Sequence, residues 1–69
     1  MHELSIVYEL YRTVTQLAAE AGLHRVEAVR LQVGELSGVE GPYLRECWNA
    51  VVRDTPLRST RLELEHLPA

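Results

Sequence analysis

Apolar residues recur at helical spacing over the first third of the chain, and this pattern constrains the fold more than any other feature. From Leu4 to Ala21 they follow the i, i+3, i+4, i+7 rule, which predicts one amphipathic helix. The apolar positions are Leu4, Val7, Tyr8, Tyr11, Val14, Leu17, Ala18 and Ala21. Ser5 is expected near the N-cap, Glu3 suits the positive end of the helix dipole, and Gly22 should end the helix at C′.

Three further segments supply the surfaces against which this helix can pack. Val26 to Val33 alternates as a strand, with Gly34 breaking it, and Thr60 to His66 alternates as a second strand. Between them Pro42 opens a second helix at N1. The apolar stripe of this helix consists of Leu44, Cys47, Trp48, Val51 and Val52. The helix is expected to end at Asp54, Thr55 and Pro56. The order helix, strand, helix, strand predicts an α+β fold with two helices packed on one face of a small β-sheet.

A sheet of only two strands is a poor free-standing structure. The strand–helix–strand unit allows either a parallel crossover or a mixed sheet, and a parallel crossover should be right-handed. In either arrangement at least one sheet edge is expected to be open, and an open edge invites pairing with another chain. A homo-oligomer formed through an exposed sheet edge is therefore predicted.

Composition narrows the class of protein. The chain has 69 residues, enough for one small domain, and Cys47 is its only cysteine, so no disulfide can form within it. The net charge is −3, and the seven basic residues are all arginines scattered from Arg12 to Arg61, which disfavours nucleic acid as a partner. No apolar stretch approaches the length of a membrane span, and no signal peptide is recognisable. The predicted location is the cytoplasm.

The first three residues, Met1-His2-Glu3, can form a chelate. The bulky second residue should leave Met1 in place, and its α-amine has a reference pKa of about 7.7–8.0, so a metal can displace its proton near neutral pH. An ion anchored on the His2 imidazole can also displace protons from adjacent backbone amides. Ni(II) and Cu(II) favour such square-planar ligation. Zinc prefers a tetrahedral set and finds one histidine insufficient.

Two motifs give the chain a family resemblance. Two segments, Met1-His2-Glu3-Leu4-Ser5-Ile6-Val7 and Val33-Gly34-Glu35-Leu36-Ser37-Gly38-Val39, together resemble the HypA/HybF family of nickel metallochaperones. The final strand of the chain, Leu62-Glu63-Leu64-Glu65, also resembles that family. The resemblance implies delivery of Ni(II) to [NiFe]-hydrogenase or urease, with a maturation GTPase and the hydrogenase large-subunit precursor as partners. It also implies a site in which His2 supplies the side chain and backbone nitrogens near His2 and Glu3 complete most of the plane.

The resemblance further implies a carboxylate from the loop before the second helix, which is Glu40 here, where relatives have Asp. Glu3 is expected to orient the site or to act as an outer-shell group. The predicted metal residues are therefore Met1, His2, Glu3 and Glu40.

The sequence departs from the family pattern at its end. Typical members continue into a zinc ribbon with two CxxC pairs and one more strand, whereas residues 1–69 contain no CxxC. We therefore expect a single nickel-binding domain over residues 1–69, without a zinc-ribbon domain and without zinc. A naturally short relative and a chain cut at the domain boundary both fit. The alternative function is a non-metal interaction or oligomerisation module that retains the fold without the delivery role.

Other reactive residues have structural interpretations. Cys47 and Trp48 lie in an apolar stripe and are predicted to be core residues, as are Tyr8 and Tyr11 with their hydroxyls at the rim. His24 is predicted to be a polar loop residue, and His66 is predicted to lie at the rim of the core. Glu35 is predicted to have a structural role in the loop that follows the first strand. No Ser/His/Asp set, Gly-rich phosphate loop or carboxylate pair with a base appears, so an enzyme is not predicted.

Overall fold

The structure, a computed structural model, describes residues 3–34 and 38–68. Helix α1 spans Glu3–Glu20, strand β1 Ala28–Gly34, helix α2 Gly41–Val52 and strand β2 Arg61–Leu67. The two strands pair in parallel, in a register that runs from Ala28 opposite Arg61 to Gly34 opposite Leu67. The predicted α+β fold and its element order are confirmed. The connection from β1 through α2 to β2 is thus the parallel crossover, one of the two arrangements that the sequence allowed.

Local sequence explains where α1 ends. The N–H of Leu23 donates to the carbonyl of Ala18 at 2.9 Å, and the N–H of Gly22 donates to that of Ala19 at 3.2 Å. These two bonds form a Schellman motif, which needs a left-handed residue at C′. Gly22 has φ +69°, a conformation that costs glycine little, so the predicted helix end is confirmed.

The core lies between the helices and one face of the sheet. Its buried members come from all four elements and from the turn after α2, and they are Val7, Val33, Leu44, Cys47, Trp48, Val52, Leu57 and Leu62. The other face of the sheet is polar. There Arg30 lies 3.6 Å from Glu63, and the Gln32 side chain donates to Glu65 at 3.0 Å. The sheet therefore buries one face only, as its alternating sequence predicts.

Trp48 joins α2 to the start of both strands. Its side chain is fully buried, and its Nε1–H donates to the carbonyl of Thr60 at 3.0 Å. The Thr60 hydroxyl donates in turn to the carbonyl of Val26 at 2.6 Å, and the N–H of Arg61 donates to that of Glu27 at 3.0 Å. The chain entering β2 is thereby held against the chain entering β1.

Several details differ from the sequence predictions. Helix α1 begins at Glu3, so Ser5 is its third residue and not a cap, and α2 begins at Gly41, one residue before Pro42. Both strands begin and end later than predicted. Tyr8 is 57% exposed, so it packs against the interior less than its apolar spacing predicts. Neither helix in the described parts of the chain is long and apolar enough to cross a membrane.

We predict that Trp48→Phe lowers the free energy of unfolding by about 1–3 kcal/mol, because the buried Thr60 carbonyl loses its donor. The smaller ring adds a further loss of packing. Urea denaturation followed by circular dichroism measures the change. Tyr8→Phe is the matched control, since it also removes one polar group from an aromatic side chain but at an exposed position, and it should stay within about 0.5 kcal/mol of wild type. Equal urea midpoints for the two variants would contradict this role of Trp48.

Candidate metal centre

The starts of the two helices meet through Glu3. Glu3 is the first residue of α1, and its Oε2 accepts a hydrogen bond from the backbone N–H of Glu40 at 3.0 Å. Glu40 occupies the N-cap position, immediately before the first residue of α2. A contact between residues 37 positions apart thus brings the beginning of the chain to the loop that precedes the second helix.

The sequence of α2 explains why a carboxylate from elsewhere serves this helix start. Glu40 has extended backbone angles, with φ −91° and ψ 116°, but its own side chain makes no capping hydrogen bond. In a capping box the N3 side chain accepts a hydrogen bond from the N-cap N–H, and Glu or Gln is the usual residue there. Position N3 of α2 is Tyr43. The Glu3 carboxylate takes the place of that acceptor and brings negative charge to the positive end of the α2 dipole.

The structure locates some of the predicted site residues and not others. Met1 and His2 lie outside the described residues, as does Glu35 with the rest of the loop 35–37. Glu3 and Glu40 are brought together, but through the side chain of one and the backbone of the other. The Glu40 residue is exposed. Within residues 3–34 and 38–68, no three His, Cys, Asp or Glu side chains are grouped so that they could hold a metal ion.

Tyr43 is a residue of this region that the sequence analysis missed. It is 48% exposed and lies one helical turn before Cys47, which is 7% exposed. A side-chain hydrogen bond and an electrostatic interaction with Cys47 raise the pKa of Tyr43 above its ordinary value of 10.0, and partial desolvation and the carboxylates of Glu3 and Glu46 raise it further. The i, i+4 spacing of Tyr43 and Cys47 was the available signal, because such residues are neighbours on a helix surface.

The two described histidines lie where the sequence predicted. His24 is exposed in the connection between α1 and β1, and His66 is exposed on β2. A Cβ added to Gly41 would lie 3.6 Å from the His66 Nε2 and 3.4 Å from a methyl carbon of Leu64. His66 is therefore close to the start of α2. Cys47 and Trp48 are buried, which confirms their assignment to the core.

The fold and the contact define the class: a small α+β domain in which Glu3, at the start of the first helix, bonds to the residue before the second helix. The family described as "Hydrogenase/urease nickel incorporation, metallochaperone, hypA" matches residues 1–69. The chain therefore belongs to the HypA family, and the resemblance drawn from its two motifs is confirmed.

Individual relatives agree with this assignment. The chain is 41% identical over 69 residues to the hydrogenase maturation factor HypA of Chlorobaculum parvum, covering all of this chain and 61% of the relative. It is 42% identical to the HypA of Geotalea uraniireducens, covering 60% of that protein. The solution structure of the Ni metallochaperone HypA from Helicobacter pylori has the same fold, with a TM-score of 0.88 at 20% identity, over 97% of this chain and 58% of that one. The chain spans about three fifths of the length of these relatives.

We predict that Cys47→Ala lowers the pKa of Tyr43 toward 10.0, because the hydrogen bond with Cys47 is the largest cause of its elevation. Absorbance titration of the phenolate measures the change, and Tyr43→Phe identifies which part of the signal belongs to this residue. Since the pKa is higher in the folded protein, the protonated phenol contributes stability below pH 10.0 that is lost as the pH rises through the raised pKa. Unchanged ionisation of Tyr43 in Cys47→Ala would contradict the assignment.

Proposed function

We propose that this domain binds one Ni(II) ion at its N-terminus and delivers it during maturation of [NiFe]-hydrogenase or urease. The family match over residues 1–69, which includes the Met1-His2-Glu3 start, carries the proposal. The description of that family names nickel incorporation into hydrogenase and urease. The role is one of carrying an ion, not of catalysing a reaction.

The proposed ligands are the Met1 α-amine, the His2 imidazole, backbone nitrogens of His2 and Glu3, and a carboxylate oxygen of Glu40. Amine, imidazole and amide nitrogens form the in-plane set that Ni(II) prefers. The position of Glu3 in α1 supports this set. Because Glu3 is the first residue of α1, its backbone N–H has no partner in the i→i−4 ladder of that helix, and a metal bound there breaks no bond of the ladder.

The proposal extends to partners and location. A maturation GTPase and the hydrogenase large-subunit precursor are the proposed recipients, because a maturation factor must pass its ion to another protein. The cytoplasm is the proposed location. Exposure of Glu40 favours transfer, since an incoming ligand from a partner can reach that side of the site without unfolding the domain.

We predict that untagged wild-type protein binds one Ni(II) per chain in calorimetric titration, and that His2→Ala weakens this binding by about a hundredfold or more, because the only side-chain nitrogen of the set is lost. His24→Ala is the matched control. His24 is exposed in a loop, so its removal should leave the affinity unchanged.

A second variant tests the α-amine separately. Extension of the chain by two residues before Met1 removes the amine from the chelate without changing any side chain, and should also weaken binding. Equal nickel binding by wild type and His2→Ala would refute the proposed site. A stable oligomer with no nickel affinity would instead favour the interaction-module function.

We also propose self-association through the outer edge of β1. Within the described part of the chain each strand has one hydrogen-bonded neighbour, so β1 presents its other edge. A groove between α1 and β1 is lined by the half-buried side chains of Ile6, Leu10 and Leu31 and by the polar residues Ser5, Glu9 and Thr13. A strand from a second copy pairing along β1 would both satisfy the edge and cover part of this groove.

We predict concentration-dependent self-association that Gln32→Lys reduces, because lysine on an edge strand opposes pairing with another strand. Sedimentation velocity at several protein concentrations, with a chelator present, measures it. Gln16→Lys introduces the same charge on the exposed side of α1 and should have no effect. A monomer at all concentrations would rule out the edge contact.

A further inference from the structure

A cleft lies at the end of the molecule away from the helix starts. It is formed by the second half of α1, the connection between α1 and β1, and the turn that follows α2, and its volume is about 230 Å³. The apolar part of its lining includes the buried Leu57, the half-buried Ala18 and Val26, and Leu23, which is 56% exposed. None of these residues belongs to the proposed metal site.

The polar side chains that line this cleft all carry hydrogen-bond donors. They are Tyr11, Thr15, His24 and Arg25, of which Arg25 is a permanent cation. Among the residues that the structure describes, no Asp or Glu lines the cleft, and none of these four side chains forms a hydrogen bond or an ion pair. A chain of net charge −3 therefore presents here a lining that donates hydrogen bonds and carries positive charge, with no internal partner.

The size of the cleft indicates what it can accept. Sites for small molecules and cofactors usually enclose about 300–1,000 Å³, so this cleft is too small for a cofactor but large enough for one apolar side chain. A carboxylate beside such a side chain would meet the Arg25 guanidinium in a charge-assisted hydrogen bond. The C-terminal end of α1 opposes an anion with a partial charge of only about half a unit, which the full charge of Arg25 exceeds.

We propose that this cleft is a docking site for an acidic peptide segment of a partner protein. One apolar side chain of that segment enters the cleft, and a carboxylate next to it pairs with Arg25. Ala19, which also lines the cleft, lies about 24 Å along α1 from Glu3 at the helical rise of about 1.5 Å per residue. A partner docked there leaves the starts of both helices accessible.

A titration of isotope-labelled, metal-free protein with short peptides tests this site by amide NMR shifts. The probe is the acetylated and amidated peptide Asp-Asp-Leu-Asp-Asp, which should shift the amides of Leu23, Arg25 and Leu57. The peptide Lys-Lys-Leu-Lys-Lys should bind about fivefold more weakly or worse, because a charge attraction becomes a repulsion. The peptide Asp-Asp-Ala-Asp-Asp should bind about tenfold more weakly, because the buried apolar surface is lost.

Two variants of the protein separate the charge from the apolar cleft. Arg25→Glu should weaken the acidic peptide about fivefold or more and strengthen the basic one. Ala19→Leu fills the cleft from an exposed helical position that leucine tolerates, and should weaken both peptides. Arg45→Glu is the matched control, since it reverses the same charge at an exposed position of α2 outside the cleft, and should stay within about twofold of wild type.

Each other outcome overturns the docking site. These outcomes are the absence of amide shifts with the acidic peptide at millimolar concentration, equal binding of the acidic and basic peptides, and shifts that Arg25→Glu and Ala19→Leu leave unchanged. Isocaproate carries the apolar group of leucine on a bare carboxylate, and its binding as tightly as the acidic peptide would assign the cleft to a small acid instead. No nickel is present in any of these measurements, so their failure leaves the proposed delivery function standing.

Discussion

The hydrogen bond from Trp48 to Thr60 is the interaction on which the rest of the fold depends. A two-stranded parallel sheet has little stability alone, because its strands are joined only through a long crossover. Trp48 connects that crossover helix to Thr60, the residue immediately before β2, and the Thr60 hydroxyl in turn donates to the carbonyl of Val26 in the segment that leads into β1. One buried side chain and its polar edge thus connect α2 to the segments that lead into both strands.

The Glu3 contact depends on this arrangement. Only when α2 is held on the sheet does its N-terminus lie where a carboxylate from the start of α1 can accept the Glu40 N–H. The buried side chains of Val7 and Leu44 have no exposed surface, which places the first turns of the two helices in the same core. The contact between Glu3 and Glu40 is therefore built on the packing of the helix starts.

Periodicity and turn chemistry were sufficient to predict the fold because both are local. The i, i+4 spacing located α1, and Gly22 located its end, since the Schellman bonds lie within six residues. Parallel pairing remained one of two possibilities, because the same alternating strands fit either sheet. The exposure of Tyr8 was not predictable from spacing, which defines the angular position of a residue on a helix but not how far the neighbouring elements extend over it. The Glu3–Glu40 bond was also beyond local reasoning, as it joins residues on separate elements and involves a backbone donor.

A cation at this position meets two opposing electrostatic effects. Each helix N-terminus carries a partial positive charge of roughly half a unit, and the starts of α1 and α2 meet here, so their dipoles disfavour a bound cation. The carboxylates of Glu3 and Glu40, with that of Glu46 in the second turn of α2, offset that effect. We infer that, in the proposed nickel site, these carboxylates offset the two helix dipoles. An ion held by this balance, in place of a deep cage, is one that a partner can remove, which suits the proposed delivery role.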